Sequence, residues 1–241
     1  MMKRIRDTSA TFRDITRAVG CLVWSAFARR HPLCFFPLML DALRIMGADI
    51  QSGARTWTSP ATDIVTPAFV KECEEALKLM HTSFVLQLEP VQACTIFSDA
   101  RVDAEIAEWA YCGEHWAVQG KFDARHHIFF HELAAASQAL LDIARAHPAG
   151  HVVLGVDNTA AMFALRSGHS GNHIADQWLR RFYQRLPSTF SFVVLHVSTD
   201  INPADRFTRG TVGTIRCESG DRPGRRAREY LKQHVRFAIH G

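Results

Sequence analysis

The chain has 241 residues, 47% of them apolar, which is enough for a packed core and excludes a disordered or fibrous class. Lys and Arg outnumber Asp and Glu by 28 to 24, for a formal charge of +4, a balance that tolerates a polyanionic partner without demanding one. The longest apolar runs, 20–27 and 33–40, stop well short of the roughly 20 residues a bilayer needs, so no membrane partner is predicted.

Cys21, Cys34, Cys73, Cys94, Cys112 and Cys217 are scattered without a CxxC pair and read as reduced, intracellular thiols. The Arg-rich start resembles a mitochondrial transit peptide, but Asp7 and Asp14 count against that reading, and the expected compartment is cytoplasm or nucleus.

Phe12, Ile15, Val19, Leu22 and Val23 recur with a helical period, and Pro32 follows as a stop. A second helix is predicted over 37–46, ending at Gly47. Residues 51–67 are turn-rich, and Thr66 with Pro67 reads as the N-cap and first position of a third helix. Residues 1–90 are therefore expected to form a mainly helical extension.

From Thr95 the pattern changes. TIFSDA, EIAEWAYCG and EHWAVQGKF predict three successive strands, the last two joined by a hairpin at Gly113 and Glu114. A helix is predicted over 131–147, stopped by Pro148. HVVLGVDN reads as a buried strand, NTAAMFALRSG as a helix ended by Gly168, ADQWLRRFYQRL as another ended by Pro187, and FSFVVLHV as a fifth strand. This order predicts an α/β fold with a mixed five-stranded sheet and flanking helices, the fourth and fifth strands parallel to the first. Residues 211–241 read as a polar linker and basic tail. There Arg222, Arg225, Arg226, Arg228 and Lys232 offer phosphate contacts or, more plainly, a solvated face.

Four acids stand out: Asp99 in TIFSDA, Glu132 in HELAAASQAL, Asp157 in VVLGVDNTAAM and Asp205 in NPADRFTRG. Asp157 ends a continuous apolar run suited to a central strand, and Asp99 lies on its predicted parallel neighbour, so both belong to the crevice beyond such strands. Glu132 shares a helical face with Ala135, Ala136, Ala139 and Ile143, where a carboxylate is costly unless a cation or donor meets it. The plainer alternative is an acid that favours the helix dipole. Asp205, taken alone, reads as the N-cap of a short last helix. Crowded carboxylates raise one another's pKa unless a cation sits between them. Hard oxygen ligands select magnesium or manganese over zinc, and two ions about 4 Å apart suit phosphodiester hydrolysis. The expected cofactor is Mg2+, two ions, with Mn2+ as a substitute.

The four acids and their flanks resemble the RNase H domain of retroelement reverse transcriptases, whose acids occur in the order Asp, Glu, Asp, Asp. FSDA resembles the first-strand motif, HELAAASQAL the helix motif and VDNTAAM the central-strand motif. NPADRFTRG is similar to the closing segment of hepadnavirus and tyrosine-recombinase-type retrotransposon polymerases. The resemblance implies an RNase H-like domain over 91–210 and a thumb- or connection-like region over 1–90. It implies hydrolysis of the RNA strand of an RNA:DNA hybrid, with that hybrid and the polymerase portion of the same retroelement as partners. No YxDD palm motif is present, so DNA synthesis is not expected.

By the same resemblance Asp99 bridges two metal ions, Glu132 supports the ion near the leaving group, and Asp157 with Asp205 holds the ion that activates water. His196 assists proton transfer or product release, and Asn158 contacts the minor groove where the RNA 2′-OH is displayed. Arg101, Arg206 and Arg209 are candidate substrate-binding residues; Ala100 and Arg101 stand where many relatives have Ser and a small residue. Two rival readings are a DNA-directed nuclease such as an integrase or resolvase, and a catalytically inactive RNase H-like nucleic-acid-binding or assembly module. The helix Glu between two strand Asp residues counts against an integrase.

Three further signals receive plainer readings. His127 and His131 have the spacing of a zinc pair but lack a third ligand. SGHSGNH follows a helix and reads as a C-cap and turn. Trp109, Trp116 and Trp178 read as core residues.

Overall fold

The computed structural model describes residues 9–29, 31–81, 94–103, 106–123, 126–208 and 214–216. The chain divides into two compact units, Met1–Leu88 and Glu89–Gly241.

The first unit contains α1 (Phe12–Ala28), a 3-10 turn at Leu33–Phe35, α2 (Pro37–Gln51) and α3 (Pro67–His81). Thr11 and Asp14 close a capping box at the start of α1. The apolar stripe of α1 then packs on Met39 and Met46 of α2 and Phe69 and Cys73 of α3. Thr66 caps α3 as predicted, its Oγ1 accepting the Phe69 N–H at 3.1 Å.

Helix α2 runs past its predicted end at Gly47 to Gln51. A mid-helix glycine costs about 1 kcal/mol relative to alanine, and burial of Met39, Ala42 and Met46 on one face outweighs that cost. Phe36 offers no capping side chain at the start of α2. Glu72 of α3 supplies it instead, accepting the Met39 N–H at 2.7 Å and the Leu38 N–H at 3.2 Å.

The second unit is built on a sheet of order β5-β4-β1-β2-β3-β6, from β1 (Cys94–Asp103), β2 (Ile106–Cys112), β3 (Trp116–Asp123), β4 (His151–Val156), β5 (Ser191–His196) and β6 (Thr214–Arg216). β1 pairs antiparallel with β2, and β2 with β3, while β1–β4 and β4–β5 are parallel. Strands β3-β2-β1-β4-β5 thus form the predicted mixed five-stranded sheet, flanked by α4 (Ile128–Ala146), α5 (Thr159–Ser167) and α6 (His173–Arg185).

Two details differ from the sequence reading. β6 pairs with the edge of β3 inside the stretch that reads as a linker. Helix α4 starts earlier than predicted, at Ile128, because the His127 ring accepts the Phe129 N–H as N-cap.

Trp109 stacks with Tyr111 and Phe122 across β2 and β3, and Trp178 meets Phe130 edge-on, so these rings serve packing. A Cβ on Gly120 would lie 2.5 Å from the Trp109 ring, which is why that strand position lacks one. Among the described residues, no helix is long and apolar enough to cross a membrane.

Candidate metal centre

β1 and β4 stay paired only as far as Phe97 and Gly155; β1 then continues to Asp103 with β2 on one side alone. Asp99 lies within this overhang rather than beyond the strand, and Asp157 follows the last residue of β4. The crevice opens where the two strands part, as parallel neighbours in an open sheet allow.

Glu132, in the second turn of α4, reaches the same place from the other layer. One carboxylate oxygen from each of Asp99, Glu132 and Asp157 lies within 4.8 Å of the others. Asp205 completes the lining of a cavity of about 310 Å³, to which Arg101, Val102, Ile128 and Thr199 also contribute. All four predicted acids therefore face one space.

Its electrostatics are unfavourable without a counterion. Burial, followed by the charges of Asp99 and Asp157, pushes Glu132 up to about 9 against a weaker opposing hydrogen bond from Ala100. Burial also pushes Asp99 up to about 7; the Thr208 hydroxyl opposes this, and the charges of Asp157 and Asp205 add to it. Glu132 Oε2 is buried without a hydrogen-bond partner. A carboxylate oxygen without a partner among other carboxylates is one that a hard divalent cation could occupy.

The N-cap reading of Asp205 is not what the chain adopts. Residues 203–208 form a run of turns, and Asn202 does the capping through Oδ1, which accepts the Ala204 N–H at 3.1 Å. Asn202 Nδ2 donates to the Ser98 carbonyl at 3.0 Å. Thr208 Oγ1 lies 2.8 Å from Asp99 Oδ2 and 2.9 Å from the Asp205 carbonyl oxygen. Sequence reasoning takes Asn202 only as a turn former and passes over Thr208.

The remaining candidates are distributed around this core. Arg101 lines the cavity, with its guanidinium 3.0 Å from Asp103. Asn158 caps α5, Oδ1 accepting the Ala161 N–H at 3.0 Å, and so stands next to Asp157. His196 ends β5 with Nε2 3.1 Å from the Asp157 carbonyl, beside the cavity and not in its lining.

Arg206 is exposed and lies over the Phe207 ring, 4.8 Å from its centroid, also outside the lining. Arg209 and the basic tail residues lie outside the described residues. The histidine pair does not converge on a zinc position: His127 is the cap of α4, and the His131 ring meets the His126 carbonyl. Gly168, in the left-handed region at φ +68°, and Asn172 cap the helices on either side of SGHSGNH.

No family model matches the sequence, and no curated protein does. Among solved structures the chain is similar to an RNase H1 from the halophilic archaeon Halobacterium salinarum NRC-1, at 16% identity and a TM-score of 0.39, over 48% of this chain and 94% of that one.

Proposed function

We propose that this chain is a divalent-cation-dependent nuclease of the RNase H type that hydrolyses the RNA strand of RNA:DNA hybrids, and that it is part of a retroelement reverse transcriptase. The observation that carries the reading is the convergence of Asp99, Glu132, Asp157 and Asp205 from four separate elements on one cavity, with a buried, unpartnered oxygen on Glu132.

Two Mg2+ ions held there would supply Lewis-acid charge and an acidified water, and Mn2+ would substitute. Asp99, buried and facing the other carboxylates, would serve both ions, Glu132 would serve the leaving-group side, and Asp157 with Asp205 would serve the side of the attacking water. Arg101 at the cavity wall offers a cation to the substrate phosphate. Asn158 is suited to meet the 2′-OH that marks the RNA strand, and His196, adjoining Asp157, to take up or release a proton at the rim. The retroelement origin rests on NPADRFTRG, and with it the reading of the helical unit as thumb- or connection-like.

Incubating the full chain with an end-labelled hybrid and Mg2+ tests this. RNA-strand cleavage is expected, abolished by EDTA and by Asp157→Asn. Hybrid retained uncut would favour a binding module, and preferential cutting of duplex DNA would favour a DNA-directed nuclease.

A further inference from the structure

Two buried side chains outside the acidic quartet do matching jobs. Asn202 joins Ser98, the residue before Asp99, to Ala204, the residue before Asp205. Thr208 Oγ1 lies within hydrogen-bond reach of both the Asp99 carboxylate and the Asp205 carbonyl. Asn202 is 5% exposed and Thr208 1%, so both ties are shielded from bulk water.

A hydroxyl has one proton to give, and its charge-assisted bond to Asp99 is the stronger of the two within reach. Beyond these ties, Ala204 and Phe207 pack into the apolar core with Phe97, Val153 and Leu195. Apolar packing locates the turn without fixing the direction of a carboxylate, a task that falls to hydrogen bonds behind the ligand.

We propose that Asn202 and Thr208 are positioning residues that clasp the closing turn to β1, orienting the Asp99 carboxylate and holding the backbone that carries Asp205 beside it for a shared divalent cation. The role rests on the reading of the cavity as a cation site. Losing a hydrogen bond behind a ligand typically lowers metal affinity by about 10–100-fold.

Mn2+ titration of the full chain by calorimetry, with a melting curve for each variant, is the test. Thr208→Val keeps the shape and removes the donor, and is expected to weaken Mn2+ binding by about 10–100-fold; Thr208→Ser should restore it to within about 3-fold of wild type. Asn202→Ala, which cuts the other tie, gives an independent reading of the same loss should Thr208→Val fold poorly. In hybrid cleavage the Mg2+ concentration for half-maximal rate should rise in Thr208→Val more than the rate at saturating Mg2+ falls.

If Thr208→Val and Asn202→Ala melt lower yet bind Mn2+ as wild type does, while Glu132→Gln weakens binding, the clasp is purely structural and the proposal fails with the cation site intact. If the wild type itself binds no Mn2+, the cation site fails and the clasp has nothing to position.

Discussion

Two buried glutamates, one in each unit, meet opposite surroundings. Glu72 and Glu132 are 8% and 6% exposed, so access to water does not separate them. Glu72 gives its oxygens to N–H groups at the start of α2. Glu132 keeps one oxygen unpartnered and faces Asp99 and Asp157. A buried carboxylate is tolerable when donors or a cation answer it. The first answer completes a fold, and the second leaves room for a ligand.

The contrast breaks most visibly in activity. Asp157→Asn should reduce hybrid cleavage by at least about 10²-fold with the circular dichroism spectrum unchanged. Glu72→Ala, assayed where it is folded, should leave the rate unchanged; a comparable loss in both would erase the distinction.

Stability comes next. Removing the acceptor of two helix-terminal N–H groups should cost about 1–3 kcal/mol, or a melting midpoint lower by about 3–10 °C, in Glu72→Ala, and Mg2+ should not recover it.

The smallest effect has the opposite sign. Because Glu132 and Asp99 are pushed up to about 9 and about 7, the folded chain holds these protons after the unfolded chain has released them. The cation-free protein therefore loses stability as pH climbs from the ordinary carboxylate range near 4, and the loss levels off above about 9. In EDTA at about pH 8, Glu132→Gln should melt higher than wild type by about 2–4 °C and flatten the decline. In the wild type, the midpoint gained on adding Mg2+ should grow with pH. A Glu132→Gln variant that melts lower than wild type at every pH would mean that donors, not charges, surround the carboxylate.

Where local chemistry decides a structure, the sequence is readable. Thr66-Pro67 starts α3, Gly168 ends α5, and the apolar run of β4 delivers Asp157 to its end. Where a distant group decides, it is not. Helix α4 starts on a histidine ring whose spacing also suits a metal ligand. β6 is three residues long, too short for a pattern, and exists because β3 offers an edge.

The same division runs through the site. The four acids stand out because each breaks or ends an apolar stretch. Asn202 and Thr208 escape notice because their partners on β1 lie 104 and 109 residues away. Arg206 sits in a motif that suggests phosphate, and its guanidinium lies over its neighbour's ring, a contact that the motif does not announce.

The row of Ala135, Ala136 and Ala139 along α4 is wholly buried. Side chains this short act as a ruler, setting how near the helix axis comes to β1 and so how far Glu132 protrudes. Adding bulk at any of the three would lift the helix and withdraw its acid from the crevice. A survey of substitutions should find these inert methyl groups as unforgiving as the charged residues they hold in reach.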